Sequence, residues 1–232
     1  MHLGGLQKTS LIDYPGKVSC VVFLSGCNFN CPYCHNPSLV KGCPEYPDQL
    51  GPDQLFDFLE NRRHFLDGVV ISGGEPTLQS DLPLLCERIK NLGYSVKLDT
   101  NGSRPKRLQD LLDRGLLDYV AMDVKTDPYT YDPFIKKRYY PEDLLSSLQI
   151  IMKSAPDYEF RTTCVKGFVD ERIIERIATL IKGARLYALQ EFHDADLLHP
   201  EFFQGPASGH NQQELIQLKS IAAPWVKNCI IR

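Results

Sequence analysis

The chain has 232 residues, of which 43% are hydrophobic and 24% are charged. This ordinary globular composition excludes a disordered or collagen-like chain, and at roughly 150 residues per domain it is compatible with one domain over residues 1–232. The formal net charge is −3. No excess of basic residues is available to contact phosphates, so a nucleic-acid partner is not expected.

The start of the sequence does not predict a secretory signal. Residues 1–10 contain no apolar segment such as a secretory signal requires, and the densest apolar run is residues 18–24. That run is far shorter than the roughly 20 residues of a membrane-spanning helix. The sequence therefore predicts a soluble, cytoplasmic protein without a membrane partner.

Short β-rich runs alternate with helical periodicity along the chain. Strands are predicted at residues 18–24, 68–72, 95–99, 119–124, 159–165, 185–190 and 226–231. Helices are predicted at residues 51–63, 82–92, 105–114, 142–154, 170–181 and 212–221. Such alternation produces an α/β fold, a parallel sheet with helices outside it. Six βα units are too few for a closed eight-unit barrel of about 250 residues, so we expect a partial (β/α)6 TIM-like barrel.

Polar or glycine-rich signatures lie at the ends of six consecutive predicted strands. They are the cysteine loop 26–37, the turns at 73–76 and 100–102, Asp123 with Lys125, Arg161, and the segment 191–193. In parallel-strand folds, ligands bind where strands end and loops begin. We therefore expect these residues to surround one open mouth.

The cysteine loop is the most informative of these segments. Cys27, Cys31 and Cys34 have C-x3-C-x2-C spacing. In a reducing compartment, clustered thiols more often bind metal than form disulfides. A structural zinc site needs four ligands, and with His35 or Cys43 as the fourth it remains an alternative. Three thiolates on a cubane iron–sulfur cluster would instead leave one iron open, as catalytic metal sites require.

Beyond the spacing, the loop resembles the cluster motif of the radical S-adenosylmethionine (SAM) superfamily, with an aromatic residue, Tyr33, before the last cysteine. The resemblance covers almost the whole chain, through residues 7–17, 31–37, 71–77, 98–102, 121–125 and 159–163. Together these segments look like the longer type of anaerobic ribonucleoside-triphosphate reductase activating proteins. That group is similar to pyruvate formate-lyase activating enzymes.

This resemblance implies one [4Fe-4S] cluster on Cys27, Cys31 and Cys34, with SAM chelating the open iron. One electron from the cluster would cleave SAM to methionine and a 5′-deoxyadenosyl radical. Lys125 is expected to take part in catalysis as well as in binding. The residues that the resemblance assigns to SAM binding are Tyr33, His35, Gly73, Gly74, Glu75, Asp99, Asn101, Asp123, Lys125 and His193.

The resemblance also implies partners. The radical would take hydrogen from a glycine of a glycyl-radical enzyme, in particular anaerobic ribonucleotide reductase, and the electron donor would be of the flavodoxin or ferredoxin type. Only Cys43 lies between the loop and the turn at 73–76. No second cluster is therefore expected, and Cys43 itself has no predicted role.

Several alternatives remain open at this point. Arg161 either forms a buried ion pair or holds the loop of a partner. The protein could be a radical SAM enzyme acting on a small molecule, a peptide or a nucleoside. It could also be a non-catalytic iron–sulfur or zinc protein.

Overall fold

The computed structural model describes residues 2–42, 51–136, 139–193, 197–203 and 208–232. Its described strands form a single sheet. Eight strands lie in chain order within this sheet. They are β1 (Leu3–Ser10), β2 (Ser19–Leu24), β3 (Gly68–Gly73), β4 (Ser95–Thr100), β5 (Tyr119–Asp123), β6 (Tyr158–Cys164), β7 (Tyr187–Glu191) and β8 (Cys229–Ile231).

The strands from β2 to β8 are parallel, and helices connect them. The helices are α1 (Pro37–Lys41), α2 (Pro52–Asn61), α3 (Leu82–Asn91), α4 (Pro105–Asp113), α5 (Pro141–Ser154), α6 (Glu171–Leu180) and α7 (Gln212–Ala222). Pairing each of β2 to β7 with the helix of α2 to α7 that follows it gives six βα units, and β8 adds a last strand. The partial (β/α)6 barrel with outer helices is therefore confirmed.

Every predicted strand and helix is present, with bounds that differ by at most three residues. One strand and one α-helix of the described residues were missed. β1 pairs antiparallel with β2, but Gly4 and Gly5 and its polar second half give it no alternating apolar pattern. α1 begins at Pro37, the last residue of the cysteine loop, and its five residues are too few for a helical period to be seen. No described helix is long and apolar enough to cross a membrane.

The two faces of the sheet differ in chemistry. On β4, Val96 and Leu98 are buried in the main apolar core between sheet and helices. Lys97 and Asp99 alternate with them and therefore face the interior of the barrel, as strand geometry requires. The interior of the barrel thus contains charged side chains. The ion pairs between them position the residues of the candidate site.

Candidate functional site

A cavity of about 310 Å³ opens at the carboxyl ends of the parallel strands. It brings together all but two of the predicted site residues. Those that line it are Cys27, Cys31, Tyr33, Cys34, His35, Gly73, Gly74, Asp99, Asn101, Asp123 and Lys125, together with Arg161. A larger and more open groove of about 730 Å³ between α6 and α7 contains none of them. The smaller cavity is therefore the candidate site.

Backbone hydrogen bonds from neighbouring loops hold the cysteine loop in place. The amide of Asn30 donates to the carbonyl of Phe134 at 2.7 Å, in the loop between β5 and α5. On the other side, the amide of Leu198 donates to the carbonyl of Cys34 at 3.0 Å. The loop is thus fixed from both sides of the mouth.

All three thiols of the loop are free, and Cys31 is buried. Burial raises the pKa of Cys27 to about 11 and that of Cys31 to about 12. Within the described residues, no three His, Cys, Asp or Glu side chains lie close enough together to hold a single metal ion. Three free thiols facing one cavity do fit a cluster with one open iron. Cys43 lies outside the described residues.

Gly73, the last residue of β3, and Gly74 after it are required by close contacts with the end of β2 and the start of the cysteine loop. A Cβ on Gly73 would lie 2.4 Å from the carbonyl oxygen of Leu24, and φ of Gly73 is +113°. A Cβ on Gly74 would lie 2.1 Å from the carbonyl oxygen of Gly26. The turn therefore packs backbone against backbone. The amide of Gly74 donates to the carbonyl of Leu24 and the amide of Glu75 donates to the carbonyl of Gly26, each at 2.8 Å.

Glu75 does not line the cavity, although the resemblance assigned it to SAM. Its carboxylate is 1% exposed. One oxygen accepts hydrogen bonds from the Thr77 backbone amide and hydroxyl and from the Thr100 hydroxyl, the last at 2.8 Å. The other accepts from the backbone amide of Asn101 at 2.7 Å. Glu75 therefore joins the turns after β3 and β4.

His193 is the other predicted residue that does not line the cavity. It follows β7, and its side chain is exposed. A role for either Glu75 or His193 in SAM binding stays a prediction.

Arg161 links two carboxylates at the base of the cavity. Its Nε donates to Asp123 Oδ1 at 2.8 Å, and its Nη1 lies 3.4 Å from Asp99 Oδ2. Burial is the largest influence and acts to raise the pKa of both carboxyls. The positive charge of Arg161, together with Lys97 beside Asp99 and Lys125 beside Asp123, outweighs it and lowers both pKa values below their usual range. Of the two predicted alternatives for Arg161, the structure contains the buried ion pair.

Two lysines extend this pairing. Lys125 Nζ lies 3.5 Å from Asp123 Oδ2 at the mouth. Burial acts to lower the pKa of Lys125, yet the groups around it, the Cys31 thiol and Asp123 first among them, raise it well above its usual value. Lys97, 1% exposed, pairs with Asp99 from within the barrel. Lys97 was not among the predicted site residues, although a lysine between the core residues Val96 and Leu98 indicates a polar barrel interior.

The sequence of this scaffold matches a known family. The model of the radical SAM superfamily matches residues 21–180. The chain belongs to the radical SAM superfamily. Radical SAM proteins use a [4Fe-4S] cluster and SAM, so these are the cofactors of this radical SAM enzyme.

Two relatives of this radical SAM chain come from Methanocaldococcus jannaschii, and both are provisionally named glycyl-radical enzyme activating enzymes. The first is 40% identical over 238 residues and covers 99% of this chain and 95% of its own length. The second is 31% identical over 189 residues, or 78% of this chain and 68% of its own length.

Among solved structures, Streptococcus suis SuiB bound to S-adenosylmethionine has a TM-score of 0.63 at 10% identity, over 91% of this chain and 51% of that one. That identity establishes a shared fold alone. It agrees with the partial barrel of this radical SAM chain.

Proposed function

We propose that the protein is an oxidoreductase that activates a glycyl-radical enzyme. The observation that carries this is the single cavity that collects three free cysteine thiols, the Gly73-Gly74 turn and the charged ends of β4 and β5. Cys27, Cys31 and Cys34 would hold the cluster. With SAM bound, the cluster supplies one electron for the cleavage that yields a 5′-deoxyadenosyl radical.

Each remaining side of the cavity has a role in binding SAM. Gly73 and Gly74 line the cavity beside the cysteine loop, where their carbonyl oxygens can accept hydrogen bonds from the amino group of the methionine moiety. Lys125 and Asp123 present opposite charges 3.5 Å apart at the mouth, suited to a zwitterionic ligand. Arg161, tied to Asp99 and Asp123, fixes both carboxylates and adds positive charge beneath them.

Cavity size favours a hydrogen donor that comes from outside. About 310 Å³ is at the lower end of the range of roughly 300–1,000 Å³ that a small ligand occupies. With SAM in this space, little room would remain for a second small ligand, which favours a hydrogen donor that reaches the mouth as part of a larger molecule. A mobile peptide loop can do so: its glycine Cα–H bond breaks, and the hydrogen atom forms a C–H bond of 5′-deoxyadenosine.

The names of the relatives support a glycyl-radical enzyme as this partner. The segments that resemble anaerobic ribonucleoside-triphosphate reductase activating proteins favour anaerobic ribonucleotide reductase as its identity. A flavodoxin- or ferredoxin-type protein would deliver the electron.

The test is to mix the reconstituted, reduced protein with SAM and purified anaerobic ribonucleotide reductase. Electron paramagnetic resonance is expected to show a glycyl radical on the reductase, formed in proportion to 5′-deoxyadenosine. The Cys31→Ala protein serves as the matched control and is expected to give neither signal. Formation of 5′-deoxyadenosine that depends on an added metabolite, without a radical on any glycyl-radical enzyme, would instead establish a small-molecule substrate.

A further inference from the structure

Among the three thiols of the cysteine loop, the sulfur of Cys27 is the one that accepts hydrogen bonds from nitrogen donors in the described part of the chain. The backbone amide of Phe29 lies 3.4 Å from Cys27 Sγ. The side-chain nitrogen of Asn101, from the turn after β4, lies 4.0 Å from the same atom. One donor is local to the loop, and the other comes from a separate element of the barrel.

Hydrogen-bond partners fix the orientation of the Asn101 amide group. The backbone N–H of Ser103 donates to Asn101 Oδ1 at 3.0 Å, and a backbone N–H can only donate. The opposite side of the amide group is therefore NH₂. It donates to Asn28 Oδ1 at 3.0 Å and points its other hydrogen toward Cys27.

The surroundings hold this donor rigidly. Asn101 is 6% exposed. Its backbone N–H is held by the buried Glu75 at 2.7 Å. Asn28, which accepts from Asn101, donates in turn to the hydroxyl of Ser103 at 2.8 Å. The hydrogen bonds among Asn28, Asn101 and Ser103 therefore connect the turn after β4 to the cysteine loop.

A donor held against a cluster thiolate acts on the electronics of the cluster. Hydrogen bonds to cysteine sulfur spread the added negative charge and so favour the reduced state. We propose that Asn101 is a positioning residue that donates to Cys27 and raises the reduction potential of the cluster. This inference rests on the assignment of Cys27 as a cluster ligand made under Proposed function.

The test compares two substitutions of Asn101. Asn101→Leu removes the donor without adding charge, and Asn101→Asp keeps the acceptor for Ser103 while removing the donor. The midpoint potential of the reconstituted cluster is measured without SAM, by titration monitored with electron paramagnetic resonance. Both variants are expected to retain iron. At a fixed applied potential, the ratio of reduced to oxidised cluster is expected to fall by up to tenfold. That change equals a shift of about 59 mV for one electron.

Ser103→Ala is the matched control, because it leaves the Ser103 backbone N–H and the Asn101 donor in place. It is expected to keep the native potential within a twofold change of the ratio. An unchanged midpoint potential in Asn101→Leu would overturn the proposal. If only Asn101→Asp shifts the potential, the added negative charge of the aspartate explains the shift, and the proposal is overturned as well.

Two further variants keep the outcomes distinct. Should Asn101→Leu lose its iron, Asn28→Leu tests the same donor by removing its orienting acceptor, with a smaller shift in the same direction expected and an unchanged potential contradicting the proposal. Full iron retention with native spectra in Cys27→Ala would overturn the ligand assignment itself. A failure to activate ribonucleotide reductase would leave the potentials of these variants unaffected.

Discussion

Gly74→Ala tests whether the close contact between the turn after β3 and the cysteine loop shapes the site. The new Cβ would lie 2.1 Å from the carbonyl oxygen and 2.6 Å from the carbonyl carbon of Gly26, about 0.9 Å inside the 3.0 Å that Cβ contacts keep. Both atoms are backbone, so no side chain can turn aside. The φ of Gly74 is not positive, and the cost is therefore steric alone.

Overpacking of this kind costs about 1–3 kcal/mol of unfolding free energy. Relief requires the start of the cysteine loop to move, so we expect iron binding and SAM affinity to fall together. Urea unfolding of the apoprotein under reducing, anaerobic conditions measures the first effect. Iron content after reconstitution and equilibrium dialysis with SAM measure the second and third.

Gly5→Ala is the matched control for this substitution. Gly5 also lacks a positive φ, and its nearest atom would be Phe23 Cδ2 at an ordinary 3.7 Å. Its stability is expected to change by less than about 0.5 kcal/mol, as for substitutions that meet no clash. Equal stability and equal SAM affinity in the two variants would refute the close-contact argument.

Three further predictions concern the thiols and the charges. Cys31→Ala is expected to abolish iron loading and the buried Cys229→Ala to preserve it; full iron in Cys31→Ala would contradict the ligand assignment. Replacing Asp123 and Lys125 together by alanine is expected to leave the cluster in place and weaken SAM binding at least tenfold in dialysis, whereas unchanged affinity would remove this pair from the site. Burial opposes the charge of Asp99, but nearby cations lower its pKa, so its contribution to stability is present above about pH 4 and lost as the pH falls. The stability gap between native and Asp99→Asn apoprotein is thus expected to shrink from pH 7 to about pH 3 in urea unfolding, and a gap that is constant or widens would contradict the ion pair.

Most of the strands and helices could be predicted because local hydrophobic patterns determine them. Alternating strands and amphipathic helices such as α6, where Ile174 and Ile177 are buried, are visible in one dimension. β1 was missed because its strand conformation comes from pairing with β2, while its own residues, with Gly4 and Gly5 near the start, have a weak strand preference.

The sequence predicted where the site lies in the fold, but it did not predict the hydrogen bonds between the site residues. The cysteine spacing and the polar strand ends indicated which residues meet. The orientation of Glu75 depends on a turn 25 residues away, where Thr100 donates to it. The hydrogen bond between Asn28 and Asn101 joins residues 73 positions apart, which no local sequence pattern reveals.

Formation of 5′-deoxyadenosine shows whether the protein cleaves SAM reductively. The anaerobically reconstituted, dithionite-reduced protein is given SAM, with Cys31→Ala treated in parallel. Product is expected from the native protein and none from the variant. Absence of product from native protein that carries a full iron load, with the partner enzyme present, would contradict reductive cleavage of SAM by this protein.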